Sequence, residues 1–213
     1  MHLLFARHGE SVANTRQVFA NRPGGHFPLT ARGRAHARDL ARRLASEPIG
    51  HVYSSPLPRA LETAAIVAAA RELKVSVAPA LREYDVGAFE LQPYGGDHAW
   101  RMGRYADNEV AWRRGEHDHR LEGGESLPEI VARVGEFIVG LRAAHGETET
   151  ILLVGHGGLY RIALPLVLAG LDPAIADAHG LDHVAIVRAI ATAGSARCVQ
   201  WGDVAIGDAA SIP

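Results

Sequence analysis

Cysteine occurs once, at Cys198, so no intrachain disulfide can form and a reducing compartment is expected. With no activating neighbour in view, that thiol is expected to pack in a late strand rather than to react. Lysine is almost missing as well: Lys74 is the one lysine among 22 basic residues. Arginine therefore carries nearly all the positive charge, and its planar fork suits phosphate and carboxylate oxygens. Neither sign of charge dominates. The formal net charge of −2 lacks the basic footprint of a nucleic-acid or anionic-membrane binder. No apolar run approaches the roughly 18 residues that span a bilayer, and no secretory signal precedes the first strand. Repeats and low-complexity tracts are also missing. Together these absences lead us to expect a cytoplasmic globular protein with no nucleic-acid and no membrane partner. Its 213 residues, 47% of them hydrophobic, suffice for a substantial core.

What is present is an ordered alternation of strand and helix signals. His2-Leu3-Leu4-Phe5-Ala6 is a short apolar run that ends in Arg7-His8-Gly9-Glu10, a strand feeding a glycine turn. Thr30 is placed to cap a helix that runs through Leu40 and Leu44 and ends near Pro48 and Gly50. His51-Val52-Tyr53-Ser54 reads as a strand, and Ser55 to Arg59 leads into a helix over Ala60 to about Arg71. Val75-Ser76-Val77 is a further strand, followed by Leu81 to Gly87 as a loop. From Phe89 to Gly124 arginines alternate with Tyr and Trp, as expected of short helices forming a cap over about 89–124. Ser126-Leu127-Pro128-Glu129 has the capping-box form, although Ser126 is equally placed to face a site. Ile151-Leu152-Leu153-Val154 is apolar throughout, as a strand covered on both faces must be. It turns through Gly155-His156-Gly157-Gly158 into a helix over Leu159–Leu168. Val184–Val187 and Arg197–Trp201 should close the sheet as an antiparallel pair.

The expected fold is a three-layer α/β/α arrangement with a largely parallel mixed sheet and a small cap insertion over the active site. One domain should cover residues 1–203, with 204–213 a small polar tail. In such sheets chemistry gathers outside the carboxyl ends of the strands. Two strands here end in a glycine-flanked histidine, His8 and His156, and both enter one crevice if those strands are neighbours. Arg59 lies near a helix N-terminus, where free amide groups already favour anions. Glu83, at another strand-to-loop transition, supplies an ionisable acid. Two histidines, two arginines and a carboxylate suit phosphoryl transfer, in which positioning and charge stabilisation do most of the catalysis.

These stretches, taken in order, resemble the histidine phosphatase superfamily in its phosphoglycerate-mutase-like branch. The matching residues are Arg7 to Ser11 with Asn14, Pro28-Leu29-Thr30 with Gly33, Ser54 to Ala60 with Thr63-Ala64, Leu81-Arg82-Glu83 with Gly87, Gly124-Glu125-Ser126, and Val154 to Gly158. The resemblance implies a phosphohistidine on His8 and oxygens held by Arg7, Arg59 and His156. Glu83 becomes the proton donor, then the base for the hydrolytic water. It also implies a phosphate contact at Asn14 and no metal; Asn21 and Gly157 are further candidates for substrate contact, and no cofactor is expected. His117 and His119 sit in a charged loop and read as a solvated pair. Departures from the pattern are Ala20-Asn21, where the family often has Ser, Thr or Gln followed by Gly, and Leu91 where a glycine often follows Glu90.

The expected activity is a metal-independent phosphomonoesterase acting on a small, anionic phosphorylated metabolite. Its alternative is a cofactor-dependent phosphoglycerate mutase, since Trp112-Arg113-Arg114 resembles the paired arginines with which mutases hold a carboxylate. A non-catalytic phosphoester-binding module is a third reading, disfavoured because all five core positions are present. Arg113 and Arg114 are accordingly candidates for binding the untransferred part of the substrate. A homodimer is left open.

Overall fold

Leu3 and Phe5 face one side of the first strand, Leu4 and Ala6 the other, and all four are buried. A strand buried on both faces needs helices above and below it. The computed structural model, which describes residues 1–207, has that three-layer α/β/α form. Its strands are β1 (His2–Arg7), β2 (Ile49–Ser54), β3 (Val75–Val77), β4 (Thr150–Gly155), β5 (Ile186–Ala191), β6 (Ala196–Trp201) and β7 (Val204–Ala205). They form one sheet in the order β3-β2-β4-β1-β5-β6-β7. The first four are parallel, while β5, β6 and β7 each run antiparallel to the preceding neighbour.

The helices are α1 (Val12–Arg16), α2 (Ala31–Arg43), α3 (Pro58–Ala69), α4 (Ala99–Arg113), α5 (Leu127–Ala144), α6 (Gly157–Val167) and α7 (Pro173–Ala178). Leu40, Ala60, Ala64 and Val67 from α2 and α3 pack against Leu4, Leu152 and Val154 on one face. Ile130, Val134, Ile138, Leu159 and Leu164 from α5 and α6 pack against Phe5, Ile151 and Leu153 on the other. Truncating a leucine as completely buried as Leu152 costs about 2–5 kcal/mol, because transfer and cavity terms add. The Thr30 hydroxyl accepts from the Gly33 N–H at 2.9 Å, capping α2. Ser126 donates through both its amide and its hydroxyl to Glu129 at 2.8 Å. That serine closes the N-terminus of α5 and does not face the site.

Between β3 and α5 lie short 3-10 turns and one long helix, α4, which buries Asn108, Glu109, Ala111 and Trp112. The stretch expected as several short helices thus contains a four-turn helix. Cys198 is buried in β6, and burial pushes its thiol up to about 11, where it stays protonated. Val204 and Ala205 pair with Trp201 and Gln200 at the sheet edge, so the expected tail begins inside the sheet. Residues 208–213 of that tail lie outside the described residues. Among the described residues no helix is long and apolar enough to cross a membrane.

Candidate active site

Strand pairing decides which side chains meet. β1 lies beside β4 in parallel register, with Arg7 opposite Gly155, so the chain leaves both strands at one level. The His8 N–H donates to the Gly155 carbonyl at 3.0 Å, and the His8 and His156 rings are 5.1 Å apart. β2 flanks β4 on the other side, and the Ser55 N–H donates to the Val154 carbonyl at 2.9 Å. Ser55 thus enters beside His156, and Arg59 follows in the first turn of α3. Glu83 reaches the same crevice from the loop after β3. Its carboxylate accepts from the Tyr84 N–H and, at the start of α6, from the Gly158 N–H, each at 3.1 Å.

Two glycine requirements are steric. Gly9 does not have a positive φ; a Cβ there would lie 2.4 Å from the Gly33 carbonyl oxygen, so two backbones touch. Gly158 carries the second: a Cβ would fall 2.8 Å from Glu83 Oε2 and from the Tyr105 hydroxyl.

A hydrogen bond sets the tautomer of His8. His8 Nδ1–H donates to the Gly9 carbonyl at 2.7 Å, an acceptor only, which leaves Nε2 unprotonated. Arg59 Nε–H points at that nitrogen from 3.0 Å, and Arg59 Nη1 donates to the Ala20 carbonyl. The Ser55 hydroxyl accepts from the Leu57 N–H at 3.2 Å and lies 2.7 Å from His156 Nε2. His156 Nδ1 is buried without a partner. Arg7 Nη1 donates to the Leu181 carbonyl, while its buried Nε has no partner either. Unpaired buried polar atoms are costly, so two in one crevice, one of them the Arg7 Nε–H donor, mark a place built for a polar ligand.

Burial drives the local acidities. His8 and His156 are held well below the usual histidine range by burial, reinforced at each by the nearby Arg59 charge. Burial lowers Arg7 and brings Arg59 down to about 10. It raises Glu83 above the ordinary carboxyl range despite hydrogen bonds from Tyr84 and Gly158 and the attraction of Arg59. A neutral imidazole with an unprotonated Nε2, cationic donors and a carboxyl inclined to hold its proton are the parts of nucleophilic phosphoryl transfer.

The cleft has a volume of about 320 Å³, and Arg7, His8, Asn14, Asn21, Arg59, Glu83 and Gly157 all line it. Asn14 Oδ1 accepts from the Ser11 amide and hydroxyl, and Asn21 Nδ2 donates to the Tyr84 carbonyl at 2.8 Å. Glu90 grips the Asn21 and Arg22 amides and so fixes that loop. Leu91, where a glycine was expected, adopts φ +61°, the left-handed conformation that glycine suits. Arg113 and Arg114 were expected at the substrate and are elsewhere. Arg113 forms a bidentate pair with Asp177 of α7 and lines a different cavity, and Arg114 is exposed at the end of α4. The cap presents Tyr94, Met102 and Tyr105 to the cleft instead, with Arg161 of α6 held by Glu109. No role had been assigned to Ser55, Arg161 or His183, although Ser55 lies in a stretch that carries the family resemblance. His183 lies 3.5 Å from Arg7 Nη2 and 3.3 Å from Asn14 Oδ1, and burial lowers it to about 4. Only the partner residues in space reveal what these three do.

Such a crevice, on such a sheet, suits a phosphatase. The chain belongs to the histidine phosphatase superfamily (branch 1), whose family model matches residues 3–204. It is 32% identical over 162 residues to the "Probable phosphoglycerate mutase GpmB" of Enterobacter sp. (strain 638), covering 74% of this chain and 70% of that protein. Against the "Putative phosphoserine phosphatase 2" of Hydrogenobacter thermophilus the identity is 31% over 172 residues, with 80% of each chain covered. A mycobacterial glucosyl-3-phosphoglycerate phosphatase, solved with VO3, superposes with a TM-score of 0.79 at 25% identity over 95% of this chain and 99% of the other. The α-ribazole phosphatase of Shigella flexneri gives a TM-score of 0.73 at 26% identity over 97% and 98% of the two chains.

Proposed function

We propose that this enzyme is a metal-independent phosphomonoesterase that works through a phosphohistidine on His8. The observation that carries the reading is the fixed tautomer of His8: Nδ1–H bound to the Gly9 carbonyl, Nε2 unprotonated and facing Arg59 inside a buried, arginine-lined crevice. Nε2 attacks phosphorus as the ester oxygen departs, and that oxygen takes the proton of the Glu83 carboxyl. Arg7 Nε, Arg59 and His156 Nδ1 donate to the phosphoryl oxygens, supplying the positive charge that a cation supplies elsewhere. Glu83, now ionised, takes a proton from water as it attacks the phosphohistidine. Phosphate leaves, and His8 and Glu83 return to their starting states.

The substrate is a small phosphorylated metabolite, anionic through its phosphate. Val18, Phe19, Tyr94, Met102, Tyr105 and Leu181 face the cleft, so the leaving group meets rings and apolar surface. A second anionic group would find Arg161, whose charge Glu109 already balances, and not the Arg113–Arg114 pair. That placement favours hydrolysis over a mutase, which must hold a substrate carboxylate while it returns the phosphoryl group. The relatives named as phosphoglycerate mutases make the comparison worth running. A panel of phosphomonoesters, including phosphoserine and p-nitrophenyl phosphate, should release inorganic phosphate and be inhibited by vanadate. With 3-phosphoglycerate and a trace of its bisphosphate, isomerisation without phosphate release would overturn the hydrolase reading.

A further inference from the structure

At the amino end of the parallel strands, opposite the catalytic crevice, three ligand-type side chains converge. His51 lies in β2, His145 caps the C-terminus of α5, and Glu149 immediately precedes β4. One ligand atom from each lies within 4.8 Å of the others. His51 Nε2 is 3.4 Å from Glu149 Oε1, and His145 Nδ1 is 3.0 Å from Glu149 Oε2. The two imidazole rings are 4.2 Å apart. We propose that His51, His145 and Glu149 form a non-catalytic binding site for a divalent transition metal of the zinc class.

Donor chemistry and spacing support this assignment. Two imidazoles and a carboxylate are borderline donors suited to Zn²⁺, and poorer for Mg²⁺ or Ca²⁺. Two donors on a tetrahedral zinc, each about 2.05 Å from it, are about 3.3 Å apart, close to the His51–Glu149 separation. An ion pair alone accounts for less of the geometry. Glu149 carries one negative charge for two imidazoles, and its Oε2 already accepts from the Gly146 N–H at 2.9 Å. Behind the ligands, the Tyr53 hydroxyl lies 2.9 Å from His145 Nε2. Metal-bound histidines characteristically use their second nitrogen in that way, and here it would turn Nδ1 toward the ion. Tyr53 and His51 share one face of β2, because side chains two residues apart on a strand do. The His51 and Glu149 side chains remain 41% and 38% exposed, which leaves an entry path and room for a water ligand. Bound metal would staple the start of β2 to the α5–β4 connection.

The test uses untagged full-length protein, stripped with EDTA and desalted, then titrated with ZnCl₂ by calorimetry and with Co²⁺ by visible absorption. The site predicts one saturable equivalent of Zn²⁺ and the intense visible bands of tetrahedral Co²⁺. It also predicts a rise in Tm of roughly 5–10 °C at a hundred times Kd. His51→Ala, His145→Gln and Glu149→Gln should each weaken binding at least about tenfold, and Tyr53→Phe by about tenfold through the outer contact. Turnover of p-nitrophenyl phosphate should be the same in stripped and loaded protein, which separates this site from the hydrolase reading. No saturable equivalent, or undiminished binding in His145→Gln and Glu149→Gln that keep wild-type turnover, would overturn the proposal.

Discussion

Ser55→Ala removes one oxygen from a fully buried position and tests whether the tautomer of His156 matters. In the native protein the Ser55 hydroxyl lies 2.7 Å from His156 Nε2 and accepts from the Leu57 N–H at 3.2 Å; the premise tested is that it donates its proton to Nε2 and so holds the His156 hydrogen on Nδ1. Both partners lose their hydrogen bond in the variant, at about 0.5–1.5 kcal/mol each, so stability should fall by about 1–3 kcal/mol. For a chain of this length that lowers Tm by roughly 3–10 °C. The catalytic effect has a separate origin. Without the serine proton, nothing holds the hydrogen on Nδ1, and a bias of about 1–1.5 kcal/mol toward the donor form is lost. If Nδ1–H grips a phosphoryl oxygen, kcat/KM should drop by about tenfold at a temperature where the variant is fully folded. Steady-state hydrolysis of p-nitrophenyl phosphate, alongside a thermal melt, reads both quantities. A variant that melts earlier but keeps kcat/KM within about twofold would refute the argument, leaving Ser55 a packing residue.

Glu83→Gln should slow alkyl phosphates far more than nitrophenyl phosphate, because a good leaving group needs little protonation; equal losses on both would place the acid elsewhere. Acid should destabilise the fold. His8 and His156 are depressed by burial, so the unfolded chain binds their protons first as pH falls below about 6.5, and stability present above that pH is lost. Each, together with His183, also depressed, contributes a slope of up to about 1.4 kcal/mol per pH unit below about pH 6.5, and Glu83, raised by burial, opposes with at most one proton. Denaturant melts between about pH 7.5 and 5 should show stability falling below about pH 6.5, by up to about 2.8 kcal/mol per unit, and a flat profile would contradict it. Leu91→Gly should raise stability by up to about 1 kcal/mol, since relief of the left-handed strain outweighs the added freedom of the unfolded chain; a loss of stability would show that the leucine's contacts dominate.

The fold was legible because its signals are local. An apolar strand ending in a glycine-flanked histidine occurs twice, and parallel pairing of those strands brings His8 and His156 together. Thr30 and Ser126 announced their helices through capping chemistry that acts within three residues. Local pattern could not show what α4 would face. Arg113 beside Trp112 looked like a substrate clamp, but Asp177, 64 residues on, takes its charge. Ser55 and His183 likewise acquire meaning only from partners far along the chain, His156 and Asn14. Gly9 was read as a turn residue, and its actual constraint is the Gly33 backbone against it, a contact between segments.

The central claim is that His8 carries the phosphoryl group, and trapping that group tests it most directly. Enzyme mixed with a labelled phosphomonoester and quenched in alkali should hold up to one label per chain, on the peptide containing His8. Phosphoramidate chemistry makes that label stable in alkali and labile in acid. The account predicts this pattern in the wild type, stronger accumulation when hydrolysis of the intermediate is slowed, and none in His8→Ala. Label that survives acid, maps to another residue, or persists in His8→Ala would contradict it.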